Sequence, residues 1–240
     1  MNGTLLCCEF ANTPNLLKQC GPAESYHVLN NYILTKKNPK DIQKLLAKFE
    51  SLYPYLQLIA GKHGLYPFDD RVAEAYLFGN ELLDVFTAKD YRDFLPKLGE
   101  RGLPEFMVKG LQGLVPDGAL PYHAFHVFFV KFQVTRKVSK TLENMVDCMV
   151  SWGEVKEVVP ELIVTGPVLN VKDDRYVLEE KERSVKYGVG INPKIGDKVA
   201  VHWGECVHIL NQHQYENLQK YTEKVIKAVN SVSLPQRRTE

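Results

Sequence analysis

Apolar positions recur at helical spacing through the first half of the chain and gather into short blocks in the second. In "NPKDIQKLLAKFESLYPYLQLIAGKHG", Ile42, Leu45, Leu46, Phe49, Leu52 and Leu56 share one helical face. The pattern predicts an amphipathic helix with Asp41 as N-cap, a stop at Gly61 or Gly64, and a kink or division at Pro54. "DDRVAEAYLFGNELLDVF" opens with acidic residues suited to a helix N-terminus and carries Val72, Tyr76, Leu77, Leu83 and Phe86 as its apolar stripe. "RDFLPKLGERGLPEFMVKGLQGL" reads as one or two short helices broken at Pro96, Gly102 and Pro104.

After the turn formers of "VPDGALP" the apolar residues run in strand-like blocks: "YHAFHVFFVKFQV", "DCMVSWGEVKEVV", "ELIVTGPVLNV", "DRYVLEE" and "KVAVHWGECVHIL". "KDD" and "PKIGD" punctuate them as turns. The final periodic segment, "NQHQYENLQKYTEKVIKAVN", predicts a helix with Leu218, Tyr221, Val225 and Val229 on one face. The expectation is an α+β chain. A helical N-terminal domain over residues 1–120 is followed, over 121–240, by a small antiparallel β-barrel with a C-terminal helix.

Composition narrows this picture little: 45% hydrophobic and 25% charged residues describe an ordinary soluble protein. A formal net charge of +1 argues against a nucleic-acid partner, which calls for a basic stripe. The start, "MNGTLLCCEF", has no positive region ahead of an apolar stretch, and no apolar run has the length of a membrane span, so a cytoplasmic protein without a membrane partner is expected. The five cysteines, at 7, 8, 20, 148 and 206, are odd in number and scattered, which fits reduced thiols.

Several side chains can carry chemistry. In "QCGPAESYH", Cys20 sits in a loop ahead of a helix, with His27 as a possible base; a helix N-terminus would favour its thiolate. That arrangement suits a thiol enzyme acting on a small acyl or amide group, and a structural turn is the simpler explanation. Glu74 at three residues from Arg71 can pair with it. Gly79 inside a helical pattern implies that another backbone or a ligand approaches closely, with Asn80 and Glu74 as candidate ligand-binding groups. His123 and His126, with Cys148, Cys206 and His208, offer enough N and S donors for zinc, although no Cys-x-x-Cys supports it. Trp152 and Trp203 both precede Gly-Glu; packing explains the rings, and a bulge or sharp corner explains Gly153 and Gly204.

Together, "DCMVSWGEVKEV" and "IGDKVAVHWGECVHILNQHQYENLQKY" resemble the two ends of the HypC/HupF-type hydrogenase-assembly chaperones. Cys148, Met149, Val150, Gly153, Val155, Glu157 and Val158 follow the opening of that family. Gly196, Asp197, Val199, Val201, His202 and Gly204 follow its last strand. The likeness covers residues 148–220. It departs from the family in placing the cysteine inside the chain, in Trp152 where the family has proline, and in the middle segment. The whole chain is also similar to prokaryotic proteins loosely described as hydrogenase maturation factors, through "QCGP", "YPYL", "FDDRVAEAYLFGNELLD", "LPYHAFHV", "SWG" and "HWG". The resemblance implies an accessory factor for nickel-iron hydrogenase assembly, with maturation proteins or the hydrogenase large subunit as partners. It also implies an iron held through the Cys148 thiolate; zinc, which rests on the donor set above and not on the resemblance, is the lesser choice. His202, on the opposite strand face from Val199 and Val201, is the matching imidazole, and His123 and His126 are further candidate ligands. A plain protein-interaction module is the third possibility.

Overall fold

In the computed structural model, which describes residues 2–131 and 141–232, the chain is a mixture of helices and one five-stranded sheet. Helix α1 (Gly3–Leu16) is capped by the Asn2 side chain and carries Pro14 in its interior. The missing N–H of Pro14 leaves the Phe10 carbonyl without its helical donor, a vacancy filled from the other end of the sequence. Helices α2 (Tyr26–Thr35), α3 (Pro39–Leu46) and α4 (Tyr53–His63) follow. Pro54 does divide the long apolar pattern, by standing in the first turn of α4, and Gly64 ends that helix at φ +64°. Asn38, rather than Asp41, occupies the cap of α3, because Pro39 claims the first helical position and places Asp41 in the first turn.

Helix α5 (Asp70–Leu77) stops before Gly79, and a 3-10 turn over Glu81–Leu83 follows. Gly79 has φ +82°, and a Cβ there would lie 2.4 Å from the Tyr221 ring, so the close approach belongs to the C-terminal helix. Pro96 does not break α6 (Ala88–Gly99); the Arg92 carbonyl it leaves bare accepts from Gln112 Nε2 at 3.0 Å. Gln112 closes α7 (Glu105–Gln112), which begins after Pro104.

The block beginning at Tyr122 is helical, not a strand. Helix α8 (His123–Phe125) passes directly into a π-helical stretch, His126–Lys131, whose residues are all buried; residues 132–134 of that block lie outside the described residues. A run buried on every side has no polar face to reveal its period, so its apolar letters fit either element. Helix α9 (Leu142–Cys148) then leads into β1 (Ser151–Glu157), β2 (Leu162–Lys172), β3 (Arg175–Tyr187), β4 (Lys198–His202) and β5 (Glu205–Ile209). Cys148 therefore ends a helix instead of starting a strand.

Strand pairing closes on itself in the order β1-β2-β3-β5-β4. Four ladders are antiparallel; β3 and β5 run parallel, through Lys186 opposite Glu205 and Tyr187 opposite Cys206, a departure from the all-antiparallel expectation. The ring encloses a small aliphatic core of Val155, Leu162, Val164, Val185, Val199, Val201 and Cys206. A larger apolar cluster runs from Leu6 to Val229 and lies between the helices and the outer face of the sheet. Helix α10 (Gln212–Asn230), capped by Asn211 and Gln214, buries the expected face of Leu218, Tyr221, Val225 and Val229. Among the described residues no helix is long and apolar enough to cross a membrane.

The two Trp-Gly-Glu segments do different jobs. Gly153 lets β2 pass close, since a Cβ there would meet Val164 at 2.5 Å and the Thr165 carbonyl at 2.6 Å. Trp203 and Gly204, at φ +52° and +72°, form the two-residue turn joining β4 to β5, with both central residues left-handed. For a tryptophan that conformation costs about 1–3 kcal/mol, which the packing around it must offset.

Candidate metal centre

The edge where β4 meets α9 and α8 holds a cavity of about 40 Å³, room for a few water-sized groups. Its lining combines elements that are distant in sequence: Cys7 from α1, Cys20 from the α1–α2 loop, His123, His126 and Lys131 from α8 and its π-helical extension, Cys148 from the end of α9, and His202 and Trp203 from the end of β4.

Each side chain has a local reason to be there. Alternation along β4 turns Val199 and Val201 into the ring and leaves His202 on the helical side, as the strand pattern predicts. His202 Nδ1 lies 3.0 Å from the Phe10 carbonyl freed by Pro14, and Nε2 lies 3.0 Å from the Cys148 carbonyl. Burial, reinforced by the Lys131 charge, pulls the His202 imidazolium down to about 3, against the two carbonyls that favour its charged form. A neutral ring has one N–H, so only one of those carbonyls is satisfied. Donation from Nδ1 to Phe10 leaves Nε2 unprotonated, the tautomer that a metal-ligating histidine adopts. That nitrogen is set against the Cys148 carbonyl oxygen, so a metal on Nε2 would require the ring to turn from that carbonyl.

Cys148 is held by the hydrogen bond from the Trp203 N–H to the Asp147 carbonyl at 2.8 Å, which ties the β4–β5 turn to the end of α9. Burial pushes its thiol pKa up, while the charge of Lys131 and a 3.1 Å hydrogen bond from Lys131 Nζ pull the other way. The Lys131 ammonium also lies 5.2 Å from the centre of the Trp203 ring, a cation–π distance. Cys20 is positioned by Asn15, whose amide donates to the carbonyls of Cys20 and Pro22 at 2.9 and 2.7 Å. Gly21 packs its α-carbon against the Phe49 ring at φ +77°.

Ligand atoms of His123, Cys148 and His202 all lie within 4.8 Å of one another. His123 Nδ1 is sealed from solvent and has no hydrogen-bond partner among the described residues, and Trp203 Nε1 is in the same condition. A buried polar atom left this way costs about 1–3 kcal/mol unless a water or another bound group in the cavity completes it. Burial, with the neighbouring His202, His126 and Lys131, holds His123 well below the usual histidine range, and a neutral imidazole is the ligating form. One thiolate and two imidazoles within this span suit iron or zinc.

The other candidates separate. His126 lines the cavity outside that cluster; its Nδ1 bonds Tyr55 Oη at 2.9 Å, which continues to Tyr91 at 2.8 Å. Cys20 shares the cavity with Cys148, but its sulfur contacts Ser51 Oγ at 3.4 Å while His27 stays exposed and stacks on Tyr26. Burial raises the Cys20 pKa, opposite to the lowering expected of a loop thiol at a helix start. The wider zinc set does not assemble, since Cys206 is inside the strand ring and His208 Nδ1 contacts Glu9 at 2.8 Å. Asn80 and Glu74 are structural: Asn80 accepts from Leu82 N–H and donates to the Arg71 carbonyl, and Glu74 accepts from Gln214 at 2.6 Å. Arg71 pairs with Asp69 instead of Glu74. Cys7, Lys131 and Trp203 are cavity neighbours that spacing does not reveal, although a lone lysine inside "FFVKF" is a visible signal.

A family model, DUF6390, described as a family of unknown function, matches residues 1–236. The chain belongs to DUF6390. No curated protein and no solved structure matches it. In this DUF6390 member the matched span takes in every cavity residue named above, from α1 to the β4–β5 turn.

Proposed function

We propose that the protein is an accessory factor that holds a transition-metal ion in this cavity through Cys148, His123 and His202. The observation that carries the reading is the meeting of a His123 nitrogen, a cysteine sulfur and a second imidazole within 4.8 Å, with His123 Nδ1 buried and without a hydrogen-bond partner among the described residues. The resemblance of residues 148–220 to HypC/HupF-type chaperones favours iron as the metal and nickel-iron hydrogenase assembly as the setting. The strand ring followed by a helix is compatible with an OB-like module of that kind. In those chaperones the thiolate belongs to a chain terminus. Here the helical part of the same chain supplies His123 and the cavity wall, so a partner need not complete the set. Metal would displace the Cys148 proton, and binding should strengthen as pH rises.

The test is metal analysis of protein purified without oxygen and titrated with ferrous iron. The expected result is one iron per chain, lost in Cys148→Ala and weakened at least tenfold in His123→Ala, with both variants folded by circular dichroism. Full iron retention by Cys148→Ala overturns the ligand assignment. Tight zinc with no affinity for iron overturns the choice of metal.

A further inference from the structure

In the cavity Lys131 Nζ and Cys148 Sγ lie 3.1 Å apart, and both residues are buried. It does not depend on a metal. We propose that this pair is an oxidative modification site, at which dioxygen joins the two side chains through a single oxygen atom. The contact holds an amine nitrogen and a sulfur at hydrogen-bond distance, so inserting one oxygen needs only a small displacement. The cavity beside them is large enough for a diatomic molecule, and its walls are mostly apolar.

The step balances. A Cys148 thiolate, a Lys131 ammonium and one dioxygen give an S–O–N bridge and one water. Sulfur and nitrogen each give up two electrons, which reduce both oxygen atoms. One oxygen enters the bridge, and the other leaves as water with two of the three ammonium protons. Two equivalents of a dithiol return four electrons and four hydrogens, restoring thiol and amine with release of water. The bridge takes Cys148 out of any metal set while it lasts, so oxygen would switch the site off reversibly.

Neighbouring groups favour this product over the alternatives. The Lys131 charge acts on both Cys148 and Cys20, and a hydrogen bond joins Lys131 to Cys148, while Cys20 is engaged with Ser51. The Trp203 ring faces the lysine head and keeps it in place.

The experiment uses the full chain, reduced, stripped of metal with a chelator, and divided between argon and isotopically heavy dioxygen before proteolysis and mass spectrometry. The expected result is a linked pair of peptides, containing Lys131 and Cys148, that gains one heavy oxygen and loses two hydrogens. It should be absent under argon, reversed by dithiothreitol, and absent from Cys148→Ser. Three outcomes overturn the proposal: peptides that stay separate after full exposure, a Cys148–Cys20 disulfide, or sulfinic and sulfonic acids on Cys148 with Lys131 unchanged. Because the wild-type chain carries the heavy-oxygen readout, misfolding of the variant cannot mask the answer. Because no metal is present, the result is separate from that of the iron titration.

Discussion

The two faces of β4 lie one residue apart and live under opposite rules. Val199 and Val201 enter a small aliphatic cluster inside the strand ring. Ala200 and His202 face the helical side, where His202 meets two carbonyls, a thiol and a second histidine within one small cavity. The aliphatic side chains of the ring pack on one another, and the polar side chains beside them, Ser151 and Arg183, donate to the carbonyls of Val201 and Trp152. The cavity holds sealed polar atoms on His123 and Trp203 that no described residue satisfies. The difference separates an apolar core from the cavity to which the proposed metal site is assigned, and it can be attacked from either side.

The largest effect is expected on the aliphatic face. Leu162→Ala removes a fully buried side chain from the ring and should cost about 2–5 kcal/mol in denaturant unfolding, with iron stoichiometry unchanged in the surviving folded protein. Equal loss of metal in that variant would merge the two faces into one. Next comes acid. His202 and His126 are each held at about 3, against 6.5 for a free imidazole, so both stay neutral in the fold and take up protons on unfolding. Their contribution is complete above about 6.5 and falls as pH drops toward 3, by about 1.4 kcal/mol per pH unit for each ring. Unfolding measured from pH 7 to 4 should therefore lose one ring's share of its slope in His126→Phe; an unaltered slope would show that the ring is not neutral in the fold. Gly79→Ala, at positive φ and against Tyr221, should cost about 1–3 kcal/mol without touching iron binding. The smallest stability change is expected from Cys148→Ser, about 1 kcal/mol, although that variant should show the greatest loss of metal.

Much of the scaffold was legible because its signals are local. Pro54, Gly64 and the stripe of α10 act within a few residues of themselves, and alternation placed His202 on the correct face. The close approach at Gly79 was also readable, though not that Tyr221 makes it. The segment from Tyr122 to Lys131 was not, since burial on every side erases the polar positions that would distinguish a helix from a strand. Of the site, Cys148, His123 and His202 were identifiable by their chemistry. Their convergence with Cys7, Cys20 and Lys131 depends on contacts that join opposite ends of the chain, which no spacing encodes. Glu74 and Asn80 misled for the complementary reason: polar letters on a helix carry no mark showing whether a ligand or the protein's own backbone will use them.

The interior proline of α1 has a consequence for anyone wishing to transplant the sheet module. Pro14 strips a donor from the Phe10 carbonyl, and that carbonyl steadies an imidazole 192 positions further along. A graft that carried the strands and the last helix onto another scaffold would bring His202 without its anchor, and the ring would be free to turn and to exchange which nitrogen bears hydrogen. The portable unit therefore includes the first helix, and a swap of that helix between relatives should be judged by what happens to an imidazole at the far end of the gene product.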